Sequence, residues 1–116
     1  MRVSKGPAAR HKKNRILKEA SGFRGKRKNC WVTARQVVRR SKQQAFTGRK
    51  LRKRDNRSLW ITRINAAARA RDISYSRLIS GMSKANIELD RKMLADIAVH
   101  DAKAFDAIVE SVKNFG

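Results

Sequence analysis

The chain has 116 residues, enough for one modest domain or a small core with an extension, and it carries 30 lysines and arginines against nine acids. The net charge of +21 is typical of proteins that bind a polyanion, because so large a charge repels itself in a compact monomer. The longest apolar runs are too short to cross a membrane, and the single cysteine excludes an internal disulfide. We expect this residue, Cys30, to be a small, half-buried apolar side chain.

Residues 1–58 form a strongly basic half that we expect to be helical but unable to fold alone. They contain 21 lysines and arginines, two acids and only 12 large apolar residues. Helix-forming residues fill 8–21, and the segment GFRG at 22–25 predicts a turn, because its two glycines can adopt positive φ. Residues 26–71 contain no proline and one glycine, which predicts a continuous helix of roughly 70 Å.

The basic side chains of 26–57 spread over roughly two-thirds of the circumference of this long helix. They leave no apolar stripe for a protein partner to cover and have almost no acids with which to pair. Arginine supplies forked donors that match phosphate oxygens, and the basic runs at 49–50 and 52–54 concentrate these donors. The pattern indicates a helix surrounded by phosphates.

Residues 59–116 contain nine basic residues, seven acids and 20 large apolar residues, so this half can bury a core and fold by itself. The long helix continues here with Trp60 on its apolar side. Three shorter helices follow, and each has a predicted N-cap: Ser74, Asp90 and Asp101. The sequence therefore predicts an all-α fold of two domains, a long basic N-terminal helical arm over 1–58 and a small C-terminal helical bundle over 59–116.

A group of acids around His100 is the arrangement that most suggests an enzyme. Five of the nine acids lie in 88–106, but Asp90 and Asp101 are accounted for as N-caps. The sequence has no glycine-rich phosphate loop, no nucleophile elbow and no set of histidine and cysteine ligands. We therefore predict no catalytic residue, no metal site and no cofactor.

Four aromatic residues, Phe23, Trp31, Phe46 and Trp60, are interleaved with the basic charge, and aromatic rings stack on unpaired bases. Core packing is the favoured role of Trp60. RNA contact is the favoured role of Phe23, which lies in a glycine turn with no visible core.

The charge alone indicates a polyanion and does not separate RNA from DNA. A nucleoid-type protein that compacts DNA is one alternative, and it would prefer duplex DNA to structured RNA at matched salt. A cationic membrane-active helix is another, and it would cause leakage of anionic vesicles. The scattered apolar residues of 26–57 argue against the membrane alternative.

Three segments carry a more specific pattern: RHKKNRILKEASGFRG at 10–25, RKLRKRDNRSLWITRINAAARARDISYSRLISG at 49–81 and NIELDRKMLADIAVHDAKAF at 86–105. They resemble, in order and over nearly the whole chain, the bacterial ribosomal protein L-twenty (L20) family of the large subunit. The resemblance implies a non-enzymatic protein of the large ribosomal subunit in the bacterial cytoplasm, with the ribosome of a bacterium-derived organelle as the alternative. Its arm would thread into large-subunit (23S-type) rRNA, and its C-terminal domain would also bind rRNA.

The resemblance also implies a role and a set of partners. Members of the family act early in subunit assembly, and many repress their own operon by binding its leader mRNA. The implied partners are large-subunit rRNA, the neighbouring large-subunit proteins thirteen and twenty-one, and the chain's own leader mRNA. No membrane and no homo-oligomer are expected.

The predicted rRNA contacts fall into three groups. Positions that match the family's arm are Arg10, Lys12, Lys13, Arg15, Arg24, Arg49, Lys50, Arg52, Lys53, Arg54 and Arg57. Contacts predicted from the charge and aromatic pattern of the same half are Arg2, Lys5, Lys18, Phe23, Lys26, Arg27, Lys28, Arg35, Arg39 and Arg40. The C-terminal half contributes Arg63, Arg69, Tyr75, Ser76 and Arg77.

Several positions depart from the family pattern. Asn56 and Ser58 stand where the family pattern has an aromatic residue and an arginine, so the family's contacts at these two positions are not carried over to this chain, whereas the implied function is unaffected. The pair at 30–31 replaces a more common aliphatic–aromatic pair, and Ala102 replaces a frequent proline at the start of the last helix.

A fragment of residues 59–116 should fold as a cooperative helical domain, because its apolar residues and its helix caps lie within it. Thermal unfolding followed by circular dichroism checks this, with a fragment of residues 1–58 as the control that should show no cooperative transition. A gradual, featureless loss of helix in the 59–116 fragment would contradict the predicted domain division.

Overall fold

The computed structural model describes residues 6–114, which form six α-helices and no strand. The helices are α1 (Gly6–Glu19), α2 (Lys26–Asn29), α3 (Trp31–Arg69), α4 (Tyr75–Lys84), α5 (Arg91–His100) and α6 (Ala102–Asn114). The predicted all-α fold, with one long helix before a cluster of short ones, is confirmed. The chain forms two compact units that divide between Lys50 and Leu51, inside α3. The functional boundary after Ser58 stays a prediction.

In the first unit, the predicted turn is present but the predicted continuous helix is interrupted. Gly22 and Gly25 have φ of 93° and 61°, the left-handed region that glycine enters without steric cost. Cys30, with φ −87° and ψ 115°, separates the four-residue α2 from α3. Its carbonyl accepts a hydrogen bond from the Ala34 amide at 2.8 Å, so it occupies the capping position that precedes α3. Cys30 is exposed, and the prediction that it is half buried was wrong because the residue lies between α2 and α3 and takes no part in the apolar cluster of this unit.

A small apolar cluster joins α1 to the first turns of α3. Ala20, Ala34 and Val38 are buried in it, and Phe23 packs against it, partly buried. Lys42 on α3 pairs with Glu19 at the end of α1, with 2.6 Å between Nζ and Oε2. The sequence predicted no core in this half, because the count of large apolar residues leaves out alanines. Alanine and valine at i and i+4 form a narrow apolar face against which a second helix can lie closely.

The second unit buries a larger core in which all four of its helices take part. Ile64, Leu78, Leu94 and Phe105 are fully buried and lie on α3, α4, α5 and α6 respectively. Trp60 is partly buried against this core, as its place on the apolar side of α3 predicts. The 3.6-residue apolar periodicity of the C-terminal half therefore produces the helical bundle that the sequence indicates.

The ends of the short helices are fixed by local hydrogen bonds. The predicted N-caps Ser74, Asp90 and Asp101 are confirmed: the side-chain oxygen of each accepts a hydrogen bond from the backbone amide three residues later, at 3.4, 2.8 and 3.0 Å. Two non-glycine residues follow the C-terminal ends of α3 and α4 with positive φ, Asp72 at 57° and Asn86 at 52°. Aspartate and asparagine tolerate this region better than most residues, so the chain reverses there without glycine.

Arg71 connects the end of α3 to α6. Its Nε donates a hydrogen bond to the Asp106 carboxylate, and its Nη2 donates to the carbonyl of Ala102 at 3.2 Å. Its Nη1 donates to the carbonyl of Ala67 at 2.9 Å, and the guanidinium lies 4.8 Å from the centroid of the Phe105 ring. The hydrogen bonds of this arginine therefore help to hold α6 against the end of α3. Nothing in its local sequence distinguishes it from the exposed arginines.

Gly81 on α4 packs tightly against Val112 on α6. The residue lies buried within the helix, three residues before its last residue. A Cβ built on it would overlap Cγ1 of Val112 and lie 3.3 Å from Cβ of that valine. The glycine is required by packing, since the stiff valine side chain leaves no space for a methyl group.

Gly81→Ala should therefore lower the free energy of unfolding by about 1–3 kcal/mol, the usual cost of overpacking a core. Urea unfolding measures the change. Val112→Ala is the second-site test: the double variant should lose less stability than the sum of the two single variants, because the smaller side chain makes room for the added methyl group. Simple additivity would show that the two residues do not compete for the same space.

Candidate RNA interface

The middle of α3 is exposed along its whole length. Every residue of 39–50 in the first unit and of 51–59 in the second is exposed, so no face of the helix is covered by the protein in this stretch. The stretch contains one acid, Asp55. Its basic residues are Arg39, Arg40, Lys42, Arg49, Lys50, Arg52, Lys53, Arg54 and Arg57. Because successive residues of a helix are rotated by about 100°, the exposed cations point in several directions and not towards one plane.

Almost none of the basic side chains is neutralised within the protein. Residues 6–114 contain 28 lysines and arginines, and only Lys42 and Arg71 pair with a carboxylate there. Exposed, unpaired arginines and lysines raise the local concentration of anions and attract a polyanion from a distance. The arrangement favours contact with phosphate groups on more than one side of the helix.

The predicted basic contacts are nearly all accessible. Every arginine and lysine predicted to bind RNA among residues 6–114 is exposed except Arg35, which is half buried. Ser76 is exposed, whereas Phe23 and Tyr75 are half buried. Arg2 and Lys5 lie outside the residues that the structure describes.

Trp31 and Arg35 form a cluster with Lys13 that the sequence did not predict. Lys13 Nζ and Arg35 Cζ lie 5.7 and 4.9 Å from the centroid of the Trp31 ring, so both cations interact with its π-system. The Trp31 indole N–H and the Arg35 Nε–H are buried and have no acceptor among the described residues. The ring is half buried and has one cation from α1 and one from α3 close to it.

In the second unit, polar residues of α4 lie close to polar residues of α5 and α6. Tyr75 accepts a hydrogen bond through its hydroxyl oxygen from Nε of Arg91 on α5, at 2.9 Å. Arg77, Lys84 and Lys113 line a cavity between α4 and α6. Three of these residues, Arg91, Lys84 and Lys113, were not among the predicted contacts. The spacing of seven residues between Arg77 and Lys84 is the signal that places both on one face of α4.

Alternatives to an RNA interface would be a catalytic histidine, a metal site or a membrane-spanning helix within residues 6–114. His100 lies 3.5 Å from Asp96 one turn earlier, and both side chains are exposed, which is the ordinary position of a helix-surface pair. Among residues 6–114, no group of three or more histidines, cysteines and acids lies together as metal ligands would. No helix in that range is both long and apolar enough to cross a membrane.

Comparison with known proteins identifies the family of this chain. The family model described as ribosomal protein L20 matches residues 2–108. The chain belongs to the ribosomal protein L20 family. Membership confirms the resemblance drawn from the three sequence segments, and it assigns the chain a structural role in the ribosome and not an enzymatic one.

Individual relatives are similar over almost the whole chain. The large ribosomal subunit protein bL20 of Maridesulfovibrio salexigens is 56% identical over 113 residues, which cover 97% of this chain and 97% of that protein. The proteins of the same name from Bartonella henselae and Brucella ovis are 54% and 53% identical over 112 residues, 97% of this chain and 84% of each relative.

Cys30, which precedes α3, has a thiol whose surroundings shift its pKa. Hydrogen bonding by the backbone amide of Thr33, then by its hydroxyl and by the Val32 amide, lowers the pKa of the Cys30 thiol below its ordinary value. The charge of Lys26 acts in the same direction. Because the folded state favours the thiolate, the resulting stabilisation is present above the pKa of the unfolded thiol and is lost as the pH falls through the folded pKa.

Alkylation of Cys30 by iodoacetamide should therefore reach half its maximal rate at a lower pH than alkylation of an unstructured cysteine peptide. Thr33→Ala should move this midpoint part of the way back, because the hydroxyl donor is lost while the backbone amide remains. Thr47→Ala is the matched control, since the Thr47 hydroxyl donates to the Gln43 carbonyl on a remote part of α3. An equal shift in both variants would contradict the role of Thr33.

Proposed function

We propose that this chain binds large-subunit rRNA directly and promotes early assembly of the large ribosomal subunit by neutralising and bridging rRNA helices. The observation that carries the proposal is the exposed middle of α3, where basic side chains point in several directions and, apart from Lys42, have no carboxylate partner among residues 6–114. The relatives named large ribosomal subunit protein support the choice of that subunit, in the bacterial cytoplasm, as the place of action.

Bridging follows from the distribution of charge around the helix. Phosphates of neighbouring RNA helices repel one another, and each holds a layer of condensed counterions. A helix with cations on one face would dock on one RNA surface. With exposed cations in several directions, α3 can replace counterions on two RNA segments at once and allow them to approach each other.

The two halves have different tasks in this proposal. The arm of residues 1–58 supplies bulk charge and penetrates the rRNA. The domain of residues 59–116 has a net charge of only +2, so its binding must depend on placed contacts from Arg63, Arg69, Tyr75, Ser76 and Arg77. The same domain would bind the leader mRNA that the family resemblance implies, and the large-subunit proteins thirteen and twenty-one are the protein neighbours we propose.

Co-sedimentation is the direct test of the proposal. The chain should remain with large ribosomal subunits after a high-salt wash, because many simultaneous phosphate contacts and the placed contacts of the C-terminal domain act together. Release at low salt would indicate a loosely bound polycation. Tighter binding to duplex DNA than to structured rRNA at matched salt would favour the DNA-compacting alternative.

Charge at Arg52 should matter more than the identity of the side chain. Arg52 is exposed on α3, so Arg52→Lys should weaken rRNA binding modestly and leave its salt dependence unchanged. Arg52→Glu should weaken binding strongly and reduce the slope of log affinity against log salt by about 1 or more, because a phosphate contact becomes a repulsion. Filter binding across a salt series measures both quantities.

Lys103→Glu is the matched control for this experiment. It changes the net charge by the same amount, and Lys103 is exposed near the start of α6 and is not one of the predicted contacts. If Lys103→Glu weakened binding as much as Arg52→Glu, net charge alone would govern affinity and the assignment of α3 as the interface would be wrong.

A further inference from the structure

A cavity of about 430 Å³ lies in the first unit beside the glycine turn. The turn, α2 and the first half of α3 all contribute to its lining. Its apolar side consists of Phe23 and Val37, and its polar side is formed by Arg24, Arg27, Arg40 and Gln44. The volume is in the range of pockets that hold a small molecule or one monomer of a polymer.

The aromatic side of the cavity is held in place by the fold. Phe23 lines the cavity and also packs against the buried cluster of Ala20, Ala34 and Val38. A ring supported by packing loses little conformational freedom when a ligand stacks on it, in contrast to a ring on a free chain. Phe46, 54% exposed on α3, has Lys50 near its ring and lies outside the cavity.

The charged side of the cavity is entirely cationic. Arg24, Arg27 and Arg40 are exposed, and none of them pairs with a carboxylate among residues 6–114. The lining contains no acid. The three guanidinium groups therefore favour a ligand that brings its own negative charge, and they offer the forked donors that suit phosphate oxygens.

A flat, apolar surface combined with a phosphate charge is the chemistry of a nucleotide. Within a duplex, both faces of a base are covered by its neighbours, so paired RNA could reach the arginines but not Phe23. An unpaired base that leaves the stack exposes the face that an aromatic ring can cover. A free inorganic phosphate would leave the apolar side of the cavity empty.

We propose that this cavity binds one unpaired nucleotide extruded from RNA, with the base against Phe23 and the flanking phosphate among Arg24, Arg27 and Arg40. This inference rests on the proposed function, because it takes RNA as the polyanion. It adds the kind of RNA element, a bulged nucleotide, and the place on the protein where that element sits. Bulk charge then provides most of the affinity, and the cavity fixes the position of the arm along the RNA.

Two RNA hairpins that differ by one nucleotide test the inference with the full-length chain. One hairpin contains a single unpaired adenosine in its stem, and the other is fully paired. At a salt concentration that suppresses non-specific binding, the chain should bind the bulged hairpin roughly tenfold more tightly, which corresponds to about 1.4 kcal/mol of base–aromatic stacking. Fluorescence anisotropy of labelled hairpins measures both affinities.

Phe23→Leu should abolish the preference for the bulged hairpin and leave the affinity for the paired hairpin unchanged. Leucine keeps the apolar packing against the alanine cluster but removes the π-face. Phe46→Leu is the matched control, an aromatic residue on the same basic half but outside the cavity, and it should keep the full preference. An equal loss in both variants would overturn the assignment of the cavity.

Arg40→Gln provides a second test that does not disturb packing, because Arg40 is exposed. It should weaken binding of the bulged hairpin more than binding of the paired one. Arg39→Gln makes the same change at the neighbouring residue, which does not line the cavity, and it should weaken both hairpins equally. If Phe23→Leu proved unfolded by circular dichroism, this pair of variants would decide the question.

The outcomes separate the inference from the proposed function. Equal, tight binding of both hairpins by the unmodified chain would overturn the nucleotide cavity and leave RNA binding intact. Failure to bind either hairpin, or large-subunit rRNA, would overturn the proposed function itself. A preference that survives Phe23→Leu and Arg40→Gln would place the recognition of the bulge elsewhere on the chain.

Discussion

Uncompensated positive charge on a helix is the constraint on which the rest of this protein depends. The cations in the middle of α3 have almost no intramolecular partners, and like charges at helical spacing raise the free energy of the folded chain. Residues that build apolar cores are placed away from that stretch: Ala34 and Val38 near the start of α3, and Ile64 and Ala68 near its end. The middle of the helix contributes to neither core, and its exposed cations are the ones we propose to bind RNA phosphates.

Arginine has two roles in this protein, and the acceptors around each guanidinium group decide which role it has. Arg71 is surrounded by acceptors, with the carboxylate of Asp106 and two backbone carbonyls within reach of its guanidinium. Arg52 has no carboxylate partner in the described part of the chain. An arginine whose donors are satisfied internally stabilises the fold, and one whose donors face water is available for phosphate.

In the proposed complex with RNA, affinity and position would depend on different features of the first half. Long-range attraction depends on the number of free cations and is insensitive to their arrangement. A ring such as Phe23 carries positional information only if the fold holds it still, which the small cluster around Ala34 does. The buried residues Ala20, Ala34 and Val38 thus give this strongly charged segment a small packed core. The cavity lined by Phe23 and the three arginines lies beside that core.

The sequence by itself determined the all-α class, the basic half, the glycine turn and the caps at Ser74, Asp90 and Asp101, because each depends on composition or on residues a few positions apart. It also determined the family, through the resemblance of three long segments to ribosomal protein L20. Only the tertiary structure decided the contacts between residues on different helices. The contact of Gly81 with Val112 and the bond from Arg71 to an acid 35 residues away have no local signature. The alanine cluster and the cations over the Trp31 ring follow from how α1 crosses α3, which helical periodicity does not specify.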